Sequence, residues 1–352
     1  MALREENRTT VSAGDRGPEP RIVVLGGGTG AYTALTGLKR HTGQLSAIIS
    51  MADSGGSTGR LRDEFGHLPP GDLRKALVAL GSDDDTSLAL RRLLEYRFEK
   101  GNGLSGHTFG NLFLTALTEI TGSTDRAVAE ASRILNVRGR VIPVTLTDIH
   151  LMAITERGDV IRGETNIDVR THDAQVPIER VYLEPDAEAN PAAVETIEQA
   201  DVVVLGPGDL YSSLVPNLLV RGIPEAINRS KAAKVYVCNI MTKHGETDNF
   251  RASDFIRQVL RYLGPEGHLD YVILNYHERL GADVLRRYAN SLSVPVSLDL
   301  PECYELVPNM VVRPLTAVGA YVRHDPHKLA DAIMTVYRQY AAPPAESERV
   351  AV

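Results

Sequence analysis

The chain has 352 residues, 43% hydrophobic and 24% charged, enough for a full globular core in one large domain or two ordinary ones. Its 38 Lys and Arg against 45 Asp and Glu leave a net charge of −7, the wrong sign for a nucleic-acid binder. No window approaches the ~18 apolar residues of a membrane span, and two cysteines without metal spacing suit a reducing, cytoplasmic setting.

Residues 1–20 are small and charged and lack the apolar stretch of a signal peptide, so they are expected to form a disordered tail. Residues 21–341 are expected to form one domain and 342–352 a second loose tail. Ile22–Leu25 is an unbroken apolar run, as in a strand buried on both faces. Gly26-Gly27-Gly28-Thr29-Gly30-Ala31 follows, and Ala31, Ala34, Leu35 and Leu38 mark an amphipathic helix. Leu45–Met51 reads as the second strand.

Met51–Lys75 is rich in glycine and charge, and is too long for the usual loop of about 2–6 residues. It reads as an ordered anion-binding loop. Gly55, Gly56 and Ser57 leave backbone N–H groups open, Arg60, Arg62 and Arg74 supply counter-charge, and Asp53 and Asp72 can hold a hydroxyl or a metal. A mobile solvated loop is the alternative. Asp72 is expected to cap a helix over Leu73–Leu80. Further helices are expected around Leu88–Leu94, at Leu112–Ile120 behind a Ser105 or Thr108 cap, and at Asp125–Leu135. Asp83-Asp84-Asp85 reads as a solvated capping start. In Gly106-His107-Thr108-Phe109-Gly110-Asn111, His107 and Asn111 would share a helix face, either as donors to a ligand or as buried capping groups.

Short strands at Val141–Leu146, Ile149–Ile154, Val160–Ile161 and Ile178–Leu183 read as an antiparallel insert over 140–185, with a hairpin turn at Arg157-Gly158-Asp159. A helix at Ala192–Ala200 precedes a second buried strand, Val202–Leu205. That strand ends in Gly206-Pro207-Gly208-Asp209, with Ser212 and Ser213 beyond it, a third loop suited to phosphate or ribose. Val235–Cys238 ends in Asn239, which with Thr242 and Glu246 could hold a base or sugar; His244 is a general-base candidate or simply solvated, and Cys238 reads as core. Helices at Leu218–Ile227, Phe255–Leu263, Val284–Tyr288 and Leu329–Tyr340, with strands at Tyr271–Leu274, Val294–Val296 and Val311–Leu315, complete the expected pattern. The fold class is α/β: a Rossmann-like, mostly parallel sheet with helices on both faces and a small antiparallel insert.

Gly26, Gly28 and Ala31 fit a relaxed dinucleotide fingerprint, but the acidic residue expected about 20 positions on would be Asp53, which comes late. No Gly-Lys-Ser/Thr follows the turn, so it is not a Walker A loop. No nucleophile–base pair stands out; any chemistry would be transfer at a phosphate, with Asp53 the catalytic candidate and Asp53 with Asp209 the metal candidates.

Several of these pieces occur together in one order: Gly26–Gly30, Asp53–Arg62, Leu68–Arg74, Gly106–Asn111, Gly163–Ile167, Gly206–Tyr211, Cys238–Thr242 and Gly245–Thr247. Together they resemble the YvcK-type gluconeogenesis factors of the CofD-like family. The resemblance implies a cytoplasmic, Rossmann-like protein that binds UDP-sugars such as UDP-N-acetylglucosamine and supports cell shape and cell-wall precursor supply during gluconeogenic growth, acting on cell-wall synthesis regulators. It implies no firm catalytic activity and no firm cofactor, leaving open Mg2+ with a nucleotide, and a homo-oligomer. Its enzymatic relatives are 2-phospho-L-lactate transferases, so a nucleotide-dependent phospholactyl or phosphoryl transferase is the alternative. By pattern it assigns Tyr288 and Arg323 to UDP-sugar binding. Ser54 stands where the family often has a second Asp, which removes one metal ligand, and Lys75 where it often has Asn.

Overall fold

A computed structural model describes residues 19–276, 286, 288, 291–317 and 321–341. The strands among the described residues are β1 (Ile22–Gly26), β2 (Leu45–Ile49), β3 (Arg140–Pro143), β4 (His150–Thr155), β5 (Val160–Arg162), β6 (Ile178–Glu184), β7 (Val202–Leu205), β8 (Ala233–Val237), β9 (Tyr271–Asn275) and β10 (Asn309–Arg313). The helices among the described residues are α1 (Gly28–Leu38), α2 (Gly56–Phe65), α3 (Pro70–Leu80), α4 (Asp85–Glu95), α5 (Phe109–Thr121), α6 (Thr124–Ile134), α7 (Glu164–Asp168), α8 (Pro191–Glu198), α9 (Val215–Leu218), α10 (Ile223–Arg229), α11 (Ala252–Leu263), α12 (Leu300–Leu306) and α13 (Pro326–Ala341). A π-helical turn, Leu210–Leu214, leads into α9.

Seven strands form one parallel sheet in the order β10-β9-β8-β7-β1-β2-β3. The central strands β1, β2, β7 and β8 are buried along their whole length, which is why they read as apolar runs rather than alternations. From β1 the chain winds outward to β2 and β3. It then returns to β7 beside β1 and winds the other way through β8, β9 and β10. Right-handed crossovers therefore place the helices of the two halves on opposite faces. On one face α1 packs between α3 and α13; on the other α8, α10 and α11 pack in succession. The order reverses between β1 and β7, and that switch point opens a crevice at the carboxyl ends of the strands. A separate antiparallel sheet, β5-β4-β6, is the insert.

Five details differ from the sequence expectation, one being that the helix expected at Leu218–Ile227 is split, with α9 ending at Leu218 and α10 starting at Ile223. Met51–Lys75 is mostly helical: α2 starts at Gly56, and Gly66, with φ at +68°, closes it in the left-handed conformation that glycine favours. Asp72 is not a cap, because Pro70 takes the first helical position, where its missing N–H costs nothing, and Asp72 falls in the first turn of α3. β3 belongs to the parallel sheet, paired with β2, so the antiparallel layer begins only at His150. Val294–Val296 forms no strand; the segment makes single bridges, Met241 to Pro295 and Arg251 to Ser297. Two capping assignments hold, since Thr108 accepts the Asn111 N–H and Asp84 accepts the Ser87 N–H. Of the helix expected at Val284–Tyr288, only Arg286 and Tyr288 lie within the described residues, both helical.

Candidate functional site

The crevice contains a cavity of about 460 Å³. Gly27–Gly30 form its floor where β1 turns into α1, and Pro207–Asp209 with Ser213 form the wall after β7. Asn239–Met241 follow from β8, Asp53, Asp72 and Lys75 from the β2 side, and Val322–His324 close the far end. Glu164 and Asp168 reach in from α7 in the insert.

The floor is a helix N-terminus. The first N–H groups of α1, at Gly28, Thr29 and Gly30, have no carbonyl one turn back to bond and face the cavity with the positive end of the helix dipole. The β1 and β7 turns approach so closely that a Cβ on Gly30 would overlap the Pro207 carbonyl. Asn239 is fixed from the same side, since its Nδ2 donates to the Gly208 carbonyl at 2.9 Å, while its Oδ1 is buried and unpartnered among the described residues. His324 is also buried, and burial pushes its imidazole pKa down to about 4, so it is neutral at physiological pH.

The walls carry two groups of carboxylates. On the β2 side lie Asp53, Asp72 and Glu164. Burial and the nearby Asp72 raise the pKa of Asp53, and burial with Asp53 and Asp168 pushes Glu164 up to about 8. Glu164 is therefore largely protonated at neutral pH and can donate a hydrogen bond. Lys75 Nζ donates to Asp72 Oδ1 at 2.8 Å. On the β7 side, the oxygens of Asp168, Asp209 and Glu246 lie within 4.8 Å of one another. The Lys243 ammonium sits among them, bonded to Asp168, to Asp209 at 2.7 Å and to Glu246 at 3.3 Å. Glu246 is locked, accepting the Tyr211 N–H and the Ser212 hydroxyl. The metal pair suggested by the sequence does not fit this arrangement: Asp209 is engaged by Lys243, and Asp53 lies outside that three-carboxylate group.

Of the residues singled out from sequence, Gly27, Gly28, Thr29, Gly30, Asp53, Asp72, Gly208, Asp209, Asn239 and Arg323 line the cavity. The others sit behind it or away from it. Gly55 caps α2 and Gly56 opens it. Ser57 is buried against His107 and Asn111: its Oγ lies 3.0 Å from His107 Nδ1 and accepts from Asn111 Nδ2 at 3.1 Å. That network pins α2 to α5 and keeps the His107 and Asn111 side chains out of the cavity lining. Arg62 is 4% exposed and bonds Asp148 and the Ile149 carbonyl, each at 2.7 Å. Arg60 is exposed and donates to the Ser105 carbonyl, and Arg74 packs under Gly110 with its guanidinium near the Leu94 carbonyl. Gly206 precedes the lining, Ser212 buttresses Glu246, and Thr242 is tied to Val294 through both its backbone and its hydroxyl. Tyr288 stands behind the far wall, where its hydroxyl accepts the Val322 N–H at 2.9 Å. Arg323, on the cavity side, lies over the Tyr321 ring. His244 pairs with Asp248. Burial pushes the Cys238 thiol well up, consistent with a core residue and not a nucleophile.

Sequence reasoning did not assign Lys75, Glu164, Asp168 or His324 to the lining, whereas Ser213, named with the loop after β7, lies in it. For Glu164 and Asp168 a signal existed: acids four apart in Gly163-Glu164-Thr165-Asn166-Ile167-Asp168 share a face once that segment is helical. Among the described residues, no helix is long and apolar enough to cross a membrane.

A family model described as 2-phospho-L-lactate transferase CofD matches residues 22–316. The gluconeogenesis factor of Bacillus subtilis is 38% identical over 328 residues, 92% of this chain and all of that protein. The gluconeogenesis factor of Halalkalibacterium halodurans is 44% identical over 279 residues, 79% of this chain and 84% of that one. A crystal structure of a Bacillus halodurans protein superimposes with a TM-score of 0.84 at 40% identity, covering 90% of this chain and 100% of its own. A second crystal structure, described as a upf0052 family member from the same organism, gives 0.83. The family match over most of the chain and the near full-length similarity to gluconeogenesis factors agree with the parallel sheet and its glycine turns: the chain belongs to the CofD family, among its gluconeogenesis-factor relatives.

Proposed function

We propose that the cleft binds a nucleotide sugar of the UDP-N-acetylglucosamine type, and that the chain acts as a ligand-reading regulator of cell-wall precursor supply during gluconeogenic growth. One observation carries this reading. The free N–H groups of α1 face a cavity whose far end holds Arg323 and whose walls hold carboxylates suited to hydroxyl groups. A diphosphate fits the first, and the ribose and sugar hydroxyls fit the last. The volume lies within the roughly 300–1,000 Å³ of small-molecule sites. The names of the relatives supply the physiological setting; regulators of cell-wall synthesis are the partners this reading implies. Calorimetry with UDP-N-acetylglucosamine tests it: saturable binding is expected, and no heat together with no thermal shift at millimolar ligand would sink it.

A second reading, transfer of a phosphorus-containing group, is favoured by one feature, the protonated Glu164 beside Asp53. A carboxylic acid held neutral near pH 7 can supply a proton to a leaving oxygen. Turnover of a nucleotide donor that disappears in both Glu164→Gln and Asp53→Asn would establish it, and the absence of turnover with bound nucleotide would remove it.

A further inference from the structure

Each group of carboxylates in the cleft already contains a cation supplied by the chain. Around Lys243, three carboxylate oxygens from Asp168, Asp209 and Glu246 gather within 4.8 Å of one another, the kind of oxygen set that a hard divalent ion takes. Nζ of Lys243 occupies that set, bonded to all three. Burial works against its charge, but Glu246, Asp209 and Asp168 outweigh it and push the pKa up. Glu246 cannot swing away to another partner, because its side chain is wholly buried and its oxygens also accept from Tyr211 and Ser212. Across the cleft Lys75 stands 2.8 Å from Asp72, again with burial outweighed, here by Asp72 and Asp53.

We infer that Lys243 and Lys75 take the place of a divalent ion in this cleft, so that it accepts the uncomplexed diphosphate of a nucleotide sugar and rejects a metal-complexed nucleoside triphosphate. The inference rests on the nucleotide-sugar reading for its ligand. A metal entering the Lys243 group would have to displace an ammonium tethered by its own chain and would leave that ammonium beside a dication. A triphosphate carries Mg2+ in water, whereas the diphosphate diester of a nucleotide sugar holds it weakly. A site with built-in ammonium groups selects the second class. It also removes the need for the metal ligand that Ser54 does not provide.

Two titrations on the full-length chain test this. In the first, UDP-N-acetylglucosamine is titrated in EDTA and in Mg2+; dissociation constants within about twofold of each other are expected, since Lys243 already fills the three-carboxylate set found among the described residues. In the second, Mn2+ alone is titrated and followed by electron paramagnetic resonance. The wild-type chain should leave the free-ion signal undiminished, and Lys243→Ser should bind one ion. Should Lys243→Ser not fold, Lys243→Ala replaces it around the same three carboxylates. Loss of nucleotide-sugar binding in EDTA, micromolar Mn2+ binding by the wild type, or no Mn2+ binding by the folded Lys243 variant would each overturn the inference. Absence of nucleotide-sugar binding in both buffers would count against the ligand reading alone, because the Mn2+ titration needs no nucleotide.

Discussion

Arg62 and Arg323 carry the same guanidinium into opposite settings. Arg62 is almost wholly covered and satisfies the Ile149 carbonyl as well as Asp148. Arg62→Ala should lower unfolding free energy in urea by about 1–3 kcal/mol, because a buried carbonyl loses its donor and the apolar stem loses its packing. Arg60→Ala, on the same helix but exposed, should stay within about 0.5 kcal/mol of wild type. Arg323 is exposed at the far end of the cavity with its side chain over the Tyr321 ring, so Arg323→Ala should leave unfolding within about 0.5 kcal/mol of wild type. It should weaken nucleotide-sugar binding by about 1.5–3 kcal/mol, roughly tenfold to a hundredfold in calorimetry. Sequence alone grouped Arg60, Arg62 and Arg74 together, and only the family resemblance added Arg323. Charge and a nearby glycine loop mark a candidate anion contact, but a guanidinium's partner depends on which face of α2 or α3 it leaves from. That was hidden while Met51–Lys75 read as a loop.

At the scale of elements, α7 is the least expected part and the most consequential. Five residues long, it sets Glu164 against Asp53 and Asp72 and Asp168 against Lys243, and it is tied down where the Thr165 N–H donates to Ser54 Oγ at 3.1 Å. Glu164 makes its seating pH-dependent. Its side chain titrates near 4.5 when unperturbed and at about 8 in the fold, so between those values the folded chain keeps a proton that the unfolded chain has released. Stability therefore falls as pH rises through that window. Glu164→Gln lacks the penalty: its melting temperature should exceed wild type at pH 9, and the margin should shrink towards pH 5. The α1 turn answers to sterics instead. Gly30→Ala would drive a methyl group into the Pro207 carbonyl, and about 1–3 kcal/mol of destabilisation with loss of ligand binding is expected in a paired melt and titration. The glycine turns were legible because apolar runs flow straight into them. α7 was not, because five residues are too few to show helical periodicity. β3 was misplaced for a related reason, since a short apolar run does not reveal whether its partner is parallel or antiparallel.

For the whole molecule, the alternation of buried runs and amphipathic helices was enough to read an α/β sheet, and the loops after β1, β7 and β8 were enough to locate the cleft at one end of it. The strand order was not legible, because it is fixed by which helix packs on which face, and no local pattern records that. The cleft draws on segments far apart in sequence, so ligand binding should be felt in all of them at once. Ligand at 100 times its dissociation constant should stabilise the fold by ~2.7 kcal/mol. Hydrogen exchange should slow together at Gly28–Gly30, across α7, at Gly208 and Asp209 and at Val322–His324, while α4, which contributes no residue to the lining, should be unaffected.

Those same contributors span residues 27 to 324. A chain interrupted anywhere before Val322 lacks the Arg323 and His324 wall, however well its earlier strands pair. On the proposed reading, copies that end before Val322 should not bind the nucleotide sugar, so the ligand would tell finished molecules from unfinished ones.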